Sequence, residues 1–418
     1  MPAFRNAVVL LATLAIATNA RCAEPADKTL AELRAEFEDA KIEFQKRLDA
    51  LQKAKPDERR AKMLPYREQV DKIRTLAAAL EKAGLAEYRR HPNQDRDLVE
   101  WMVVYLKDLI NRDDYETAAE IATLLVKNEF DLRIQVVGGV TLPDGKHDTA
   151  LTPRAGMAFF GANDFENARL YLERAQESGT LGMDDLRLQM AAPKGVITMD
   201  ALAVKPREEL EWAGRYRALW ANEQKRRKVE DMADDLPIVR LSTSKGDITL
   251  QLFEIDAPNT TANFIKLVEN KFYDGCEFQD VISGLGAQAG RQSASGISPD
   301  FTIPAETENP DHRVHFRGSV SMVTPDDSDA SSEFRIAFLA NRKLDDKNTV
   351  FGRVTEGFDV LAKLQRIDSA YPMPKNVVLD KIVTATVLRK RAHPYVPRRH
   401  EGGNGKVSDA AKDDRESP

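Results

Sequence analysis

The sequence of 418 residues predicts a multidomain protein, with an all-α helical N-terminal region followed by a β-rich C-terminal domain. Two observations predict this division. In the first half, apolar residues recur at spacings of three and four, which is the period of an α-helix. From residue 237 onwards, apolar and polar residues alternate in short runs that Gly-containing turns separate, which is typical of antiparallel strands. A chain of this length is expected to hold two or three domains.

The composition is that of ordinary globular material. Hydrophobic residues make up 42% and charged residues 31%, and the formal net charge of -6 gives no reason to expect a nucleic-acid partner. The two cysteines, Cys22 and Cys276, are too few for a disulfide framework. The sequence shows no phosphate-binding glycine loop and no Ser-His-Asp order, so we predict no cofactor and no metal site.

Residues 1–22 have the pattern of a signal peptide. Arg5 gives a short basic start, the apolar run from Ala7 to Ala17 is too short to span a bilayer, and Thr18-Asn19-Ala20 offers small residues for cleavage. A buried helix is the alternative, but the run has no amphipathic face. We therefore predict an exported protein, periplasmic or secreted, with no stable membrane span after the signal is removed.

Residues 23–94 are predicted to form a helical hairpin. A heptad-like helix over 27–54 is followed by a second helix over about 57–83, with Pro65 as a kink and Gly84 at its end. An intramolecular antiparallel pair is favoured because only about three to four heptads are available. The other interpretation is an intermolecular coiled coil and a homodimer. The apolar positions of the first helix are Leu30, Leu33, Phe37, Ala40, Phe44, Leu48 and Leu51.

Residues 95–205 are predicted to contain short helical hairpins. Tyr115 precedes Ala118 by three residues, and Phe165 precedes Ala168 in the same way. This theme resembles tetratricopeptide-type helix pairs, in which a small Ala lets the neighbouring helix approach. A plain helical domain without repeat function is the alternative. Between the two copies, residues 134–145 resemble a β-hairpin insertion.

A charged helix and a polar tail flank the C-terminal domain. Residues 206–236 carry Trp212, Tyr216 and Trp220 on one helical stripe and then a highly charged end, so we interpret them as a linker helix. Residues 391–418 are almost devoid of apolar side chains, and we predict a disordered tail.

The domain over 237–390 opens with a β-hairpin pattern around Gly246, which leads into a helix after Pro258. Its motifs, in this order over about a third of the chain, resemble the cyclophilin-type peptidyl-prolyl isomerases. The resemblance implies a closed eight-stranded antiparallel β-barrel with two helices and a prolyl-peptide groove on its outer face. The matching pieces are Gly246-Asp247-Ile248, Ala257-Pro258, Ala262-Asn263-Phe264, Phe272-Tyr273-Asp274-Gly275, Phe278, Val281-Ile282, Arg317-Gly318-Ser319-Val320-Ser321-Met322, Ser332, Phe334, Leu344-Asp345-Asp346-Lys347 and Val350-Phe351-Gly352-Arg353-Val354.

The resemblance also implies which residues form the groove, and several of them depart from the family pattern. Asp280 stands where the family has its catalytic arginine. Leu285 replaces a pocket aromatic, Gly286 a methionine and Arg335 a phenylalanine of the pocket floor, while Gln288 is retained. The groove positions implied by the resemblance are Phe278, Asp280, Leu285, Gln288, Met322, Val323, Thr324, Glu333, Phe334, Arg335, Leu344 and Asn348.

Two functions follow as expectations. The first is a protein of the peptidyl-prolyl cis-trans isomerase class that acts on or binds prolyl peptides. Its activity is expected to be weak or lost, because Asp280 stands where the family has its catalytic arginine. The alternative is a non-catalytic scaffold that uses the barrel and the helices to bind a protein partner.

The charges at the groove suggest a further hypothesis. Asp280 and Arg335 are predicted to meet as an ion pair that plugs the proline pocket, because either charge alone would be costly there. Both side chains pointing into solvent, or Arg335 taking the catalytic role from the opposite wall, are the alternatives. His312 and His315 lie near two glutamates in sequence, but we interpret them as surface residues because the segment lacks a fixed set of metal ligands.

Overall fold

The computed structural model describes residues 28–127, 151–181, 206–291, 301–309, 311–324, 329–367, 378–401 and 406–407. The predicted signal peptide and the hairpin insertion over 134–145 lie outside these residues. The chain divides into two compact units, Met1–Asp108 with Ile121–Leu151, and Leu109–Glu120 with Thr152–Pro418. In the described ranges, no helix combines the length and hydropathy that crossing a membrane would require.

Helices make up most of the described chain as far as Ala233, and strands predominate after it. The helices are α1 (Leu30–Gln52), α2 (Pro56–Arg90), α3 (Arg96–Asn111), α4 (Tyr115–Lys127), α5 (Leu151–Gly161), α6 (Phe165–Glu177), α7 (Pro206–Ala233), α8 (Pro258–Glu269) and α9 (Phe358–Lys363). The strands are β1 (Ile238–Thr243), β2 (Gly246–Leu252), β3 (Asp280–Ile282), β4 (Gly286–Ala289), β5 (Phe301–Thr302), β6 (Ser319–Met322), β7 (Phe334–Ala337), β8 (Val350–Glu356), β9 (Ile382–Arg389), β10 (His400–Glu401) and β11 (Lys406–Val407).

In the first unit, α1 and α2 pack against each other as the predicted intramolecular hairpin. Thr29 caps α1 in a capping box with Glu32. The amide of Gln69 on α2 donates to the carbonyl of Ala40 on α1 at 2.8 Å. The helix α2 continues through Gly84 to Arg90. The ring of Trp101 lies close to this glycine, where a side chain would crowd it. The shared core consists of Leu33, Phe37, Ala40, Phe44, Val70, Ile73 and Leu76.

In the second unit, the two copies of the aromatic–Ala theme follow the same kind of turn. Asp113 and Asn163 each adopt a positive φ, and Asp114 or Asp164 then accepts a backbone N–H of the following helix. The aromatic and Ala members of both copies are buried. The theme therefore describes helix packing, and the tetratricopeptide assignment stays a prediction.

The expectation of a closed barrel is wrong. The eight antiparallel strands form a curled, open half-barrel in the order β3-β4-β7-β6-β8-β2-β1-β9. Among the described residues, one isolated bridge, Glu277 to Lys381, joins the segments beside the two edges, and no ladder joins β3 to β9. Strand β3 has only three residues against eight in β9. The Ala385 N–H donates to the Asp274 carboxylate at 2.9 Å, a side-chain contact where a ladder would need a backbone carbonyl.

The core of this unit lies between the sheet and the helices α8 and α9, which are the two helices that the resemblance implied. Phe264 of α8 packs on Phe334 and Phe351 of the sheet with ring centroids 5.4 and 5.1 Å apart. Leu361 of α9 belongs to the same core. The sheet is therefore apolar on this face, which leaves the opposite face for polar side chains.

The segments that flank the sheet domain also contact it. The linker helix α7 packs the ring of Trp220 on Phe316, with centroids 4.8 Å apart. Residues 391–401, which we assigned to the tail, run along the domain, and the Tyr395 hydroxyl donates to Glu254 at 2.9 Å. Apart from residues 406–407, the rest of the tail lies outside the described residues.

Candidate functional site

A row of polar side chains crosses four neighbouring strands on the sheet face opposite the core. The register pairs Asp280 of β3 with Gln288 of β4, Gln288 with Arg335 of β7, and Arg335 with Ser321 of β6. Chain neighbours such as Val281 belong to the core. Because side chains alternate along a strand, these four residues point away from the core. We call them the polar row.

Arg335 occupies the middle of the polar row. Its Nη2 atom donates to Gln288 Oε1 at 2.7 Å. Burial lowers the pKa of Arg335, and the charges of Asp280 and Glu333 offset this shift only in part. The hydrogen-bonding partner described for the guanidinium is thus Gln288, whereas Asp280 acts on it through its charge. Because Gln288 is neutral, its hydrogen bond does not neutralise the charge of the partly buried Arg335 guanidinium.

Glu333 fixes the orientation of Gln288. The Gln288 Nε2 atom donates to Glu333 Oε2 at 2.9 Å, which turns its Oε1 atom towards Arg335. Gln279 donates to the same carboxylate at 3.1 Å, and Arg291 binds both carboxylate oxygens at 3.0 Å. Bidentate Arg–carboxylate pairs are directional, so Arg291 fixes the orientation of the Glu333 carboxylate, which accepts all of these bonds.

Gly286 makes room for the Arg335 side chain. A Cβ atom at position 286 would lie 3.1 Å from Arg335 Cγ and 2.5 Å from the carbonyl oxygen of Ile336. A methionine, which the family has at this position, would therefore crowd both groups. Gly286 therefore allows the backbone of β7 to approach β4 closely.

One wall of the site is the loop between β3 and β4, and the turn at residues 111–113 holds it. The Gly284 N–H donates to Asp113 Oδ1 at 2.8 Å, and the Ser283 hydroxyl donates to the carbonyl of Asn111 at 3.3 Å. Arg366 binds Asp113 Oδ2 at 2.8 Å. Asp113 is fully buried, so this carboxylate joins the loop and the guanidinium from within the protein.

Arg317 strengthens the same attachment. Its guanidinium binds both oxygens of Glu116 at 2.7 Å and donates to the carbonyls of Phe338 at 3.0 Å and Asp113 at 2.8 Å. Burial alone would lower the pKa of Arg317, but the bonds with Glu116 outweigh it and raise the pKa. The guanidinium therefore stays charged over the accessible pH range.

The other wall is the loop over residues 341–348, and α7 holds it. Asp345 accepts a bond from the Tyr216 hydroxyl of α7 at 3.3 Å, and it accepts the backbone N–H of His315 at 2.7 Å. The His315 ring also contacts Asp345, at 2.8 Å. His315 is fully buried, so our interpretation of it as a surface residue is wrong. Its backbone N–H and ring satisfy the Asp345 carboxylate. In the described part of the chain, no group of three or more His, Cys, Asp and Glu residues could hold a metal ion.

Comparison with known proteins decides the family. The model of the cyclophilin-type peptidyl-prolyl cis-trans isomerases matches residues 238–387. A peptidyl-prolyl cis-trans isomerase of Helicobacter pylori strain J99 is 37% identical over 131 residues, which cover 31% of this chain and 80% of that protein. The chain belongs to the cyclophilin-type peptidyl-prolyl cis-trans isomerase family.

Two further proteins are similar to about a third of the chain. Peptidyl-prolyl cis-trans isomerase 10 of Caenorhabditis elegans is 33% identical over 154 residues, covering 36% of this chain and 94% of that protein. The crystal structure of a Cryptosporidium parvum cyclophilin in the presence of the dipeptide Ala-Pro is 23% identical, covering 36% of this chain and 98% of that chain with a TM-score of 0.32.

The structure separates the cyclophilin groove positions into three groups. Asp280, Gln288 and Arg335 lie together in the polar row, and Glu333 is bonded to it. The partly exposed positions are Leu285, Val323, Thr324 and Leu344. The buried ones are Phe278, Met322 and Phe334, which belong to the core, and Asn348.

Three residues that matter to this cyclophilin site were not predicted as site residues from the sequence. Arg291 directly follows Gly290, so an inspection of the retained Gln288 segment would have found it. Asp113 and Tyr216 lie 171 and 129 residues from their partners Gly284 and Asp345. No local pattern relates positions so far apart, and only the folded chain brings them together.

Proposed function

We propose that this cyclophilin is an exported protein that binds prolyl peptides and whose isomerase activity is weak or lost. The observation that carries the proposal is the occupation of the site by the polar row, with Asp280 at the position of the catalytic arginine. Isomerisation crosses a barrier of about 18–20 kcal/mol, and an enzyme must bind the twisted amide more tightly than the planar forms. A carboxylate accepts hydrogen bonds and repels a carbonyl oxygen, so Asp280 does not supply a guanidinium's donors.

The floor of the site supports the same proposal. Arg335 brings a charged side chain to the position where the family has an apolar ring contact, and Gln288 and Glu333 fix its surroundings through hydrogen bonds. Seating a proline ring there would require an apolar surface, because burying a charge without a partner is costly. The face is therefore suited to polar contacts with a peptide.

A prolyl isomerisation assay tests this proposal. Wild-type protein is compared with the double variant Asp280→Arg, Arg335→Phe on a short prolyl peptide, with an ordinary cyclophilin as the positive control. We expect a wild-type rate close to the uncatalysed one and a measurable gain in the double variant. The matched control is Arg240→Gln on β1, whose side chain is 45% exposed and which contacts none of the groove positions by any described bond. A wild-type rate typical of the family would refute the proposal.

A scaffold without catalysis is the second candidate function. The observation that favours it is the attachment of the turn at 111–116 to the sheet domain through Arg317 and Arg366. A groove wall braced in this way is suited to a rigid binding platform. Silence of both wild type and double variant in the assay, together with peptide binding by wild type, would favour the scaffold.

Export is part of the proposal and rests on the pattern of residues 1–22. Expression of the full chain in a bacterial host, followed by fractionation and mass measurement, tests it. We expect a periplasmic or secreted product shortened near Ala20. A full-length product confined to the cytosol would contradict export.

A further inference from the structure

The polar row contains donor groups that the protein itself leaves unused. Arg335 has one described hydrogen bond, to Gln288, although a guanidinium carries five N–H donors. On the neighbouring strand, the Ser321 hydroxyl is buried and lacks a hydrogen-bond partner among the described residues. An unsatisfied buried hydroxyl such as that of Ser321 is costly, and the partly buried guanidinium of Arg335 has N–H groups that can donate to a ligand. Arg335 therefore has the character of a binding group.

The acidic groups around Arg335 are, in contrast, engaged with partners of their own. Glu333 is bound at both oxygens by Arg291. On the 341–348 loop, Asp345 is bonded by His315 and Tyr216, and the ring of His312 lies 3.0 Å from Asp346. These contacts compensate the negative charges of Glu333, Asp345 and Asp346, while Asp280 of the polar row acts on Arg335 through its charge.

A second basic residue, Lys347, belongs to a loop that is bonded to the segment after β6. The segment after β6 links the two sides, since the Val323 N–H donates to the Glu333 carbonyl at 2.8 Å and the Thr324 hydroxyl donates to the Lys347 carbonyl at 3.4 Å. Lys347 is exposed, and its ammonium group has no hydrogen bond or ion pair among the described residues. Arg335 thus has one neutral hydrogen-bonding partner, Gln288, beside a Glu333 carboxylate that Arg291 already binds at both oxygens.

We propose that this face binds a polypeptide segment through an acidic side chain, Asp or Glu, whose carboxylate is bound by Arg335. Carboxylates match the planar guanidinium, and a charge-assisted hydrogen bond is shorter and stronger than a neutral one. The inference rests on the proposed peptide-binding function and adds the chemical class of the ligand.

Two labelled peptides that differ in one group test the proposal. Both carry a single proline, preceded by Glu in one and by Gln in the other, and their binding to the full chain is measured by fluorescence anisotropy at low and high salt. We expect the Glu peptide to bind about tenfold more tightly, which corresponds to about 1.4 kcal/mol, and the preference to shrink as salt rises. In Arg335→Gln the preference for the Glu peptide over the Gln peptide should vanish. Arg335→Lys should keep part of the preference.

The control variant is Arg240→Gln, which removes a cation from β1 and should leave the preference unchanged. Equal binding of the two peptides, or a preference that survives in Arg335→Gln, would overturn the inference and leave the proposed function standing. Binding of neither peptide would overturn both. If Arg335→Gln failed to fold, the comparison of wild type with Arg335→Lys and the salt series would still decide.

Discussion

Replacing Arg317 by Ala is expected to destabilise the second unit strongly. The side chain is almost fully buried, and its guanidinium binds Glu116 and the carbonyls of Phe338 and Asp113. It also lies 5.0 Å from the ring centroid of Tyr115. An alanine would remove these bonds together and leave the two carbonyls without their donor.

The expected magnitude follows from these contacts. Each buried carbonyl that loses its donor costs about 1 to 1.5 kcal/mol at the lower end of the usual range. The Glu116 side chain is 44% exposed, so its carboxylate regains water and the ion pair adds only about 0–1 kcal/mol. The sum is about 3 kcal/mol, and a domain of this size then loses about 6–12 °C in Tm.

Urea and thermal unfolding followed by tryptophan fluorescence measure this loss, because the Trp220 ring packs on Phe316 beside Arg317. Glu116→Gln is the matched control, since it removes the charge of the exposed partner and leaves the carbonyls bonded. We expect it to cost about 1 kcal/mol or less. A loss below about 1 kcal/mol for Arg317→Ala, or equal losses for both variants, would refute the reasoning.

Three further predictions concern other parts of the chain. Gly286→Met should cost about 1–3 kcal/mol in unfolding experiments through overpacking, whereas Gly214→Ala, with little nearby, should not. A backbone bond to Pro394 and the Glu254 carboxylate raise the pKa of His393, so the stability that this histidine contributes is present below its unfolded pKa and is lost as pH rises through the folded one. The Tm advantage of wild type over His393→Gln should accordingly disappear between pH 5 and pH 8, and an advantage that grows with pH would contradict this. Thr29→Ala should weaken α1 by about 1 kcal/mol, measured by circular dichroism in urea.

The sequence predicted those elements that depend on local pattern. The helix α1 follows from its heptad-like spacing, and the hairpin of β1 and β2 follows from alternation around Gly246. Resemblance to the cyclophilins located Asp280 and Arg335 from the residues alone. The same resemblance implied a closed barrel, which this chain lacks. Closure depends on the pairing of two strand edges that are distant in sequence, and no local pattern reports it.

The contacts that shape the site depend on distance in space, so no sequence window contains them. The partner of Arg335 was predicted to be Asp280, whereas the described hydrogen bond runs to Gln288. The reason is the register, which places Gln288 on the strand between the other two residues. Side-chain reach across a sheet favours the adjacent strand.

The changes at the site form one set, and this bears on how its activity is tested. Gly286 allows β4 and β7 to approach closely, and Glu333 turns Gln288 so that its oxygen accepts from Arg335. Restoring arginine at Asp280 alone would place two guanidinium groups in one row with only Gln288 between them, and their repulsion would oppose folding of the site. Removing Arg335 alone would leave the carboxylate of Asp280 facing the peptide. The gain of isomerisation is therefore expected only when both positions change together, and the single variants should remain silent.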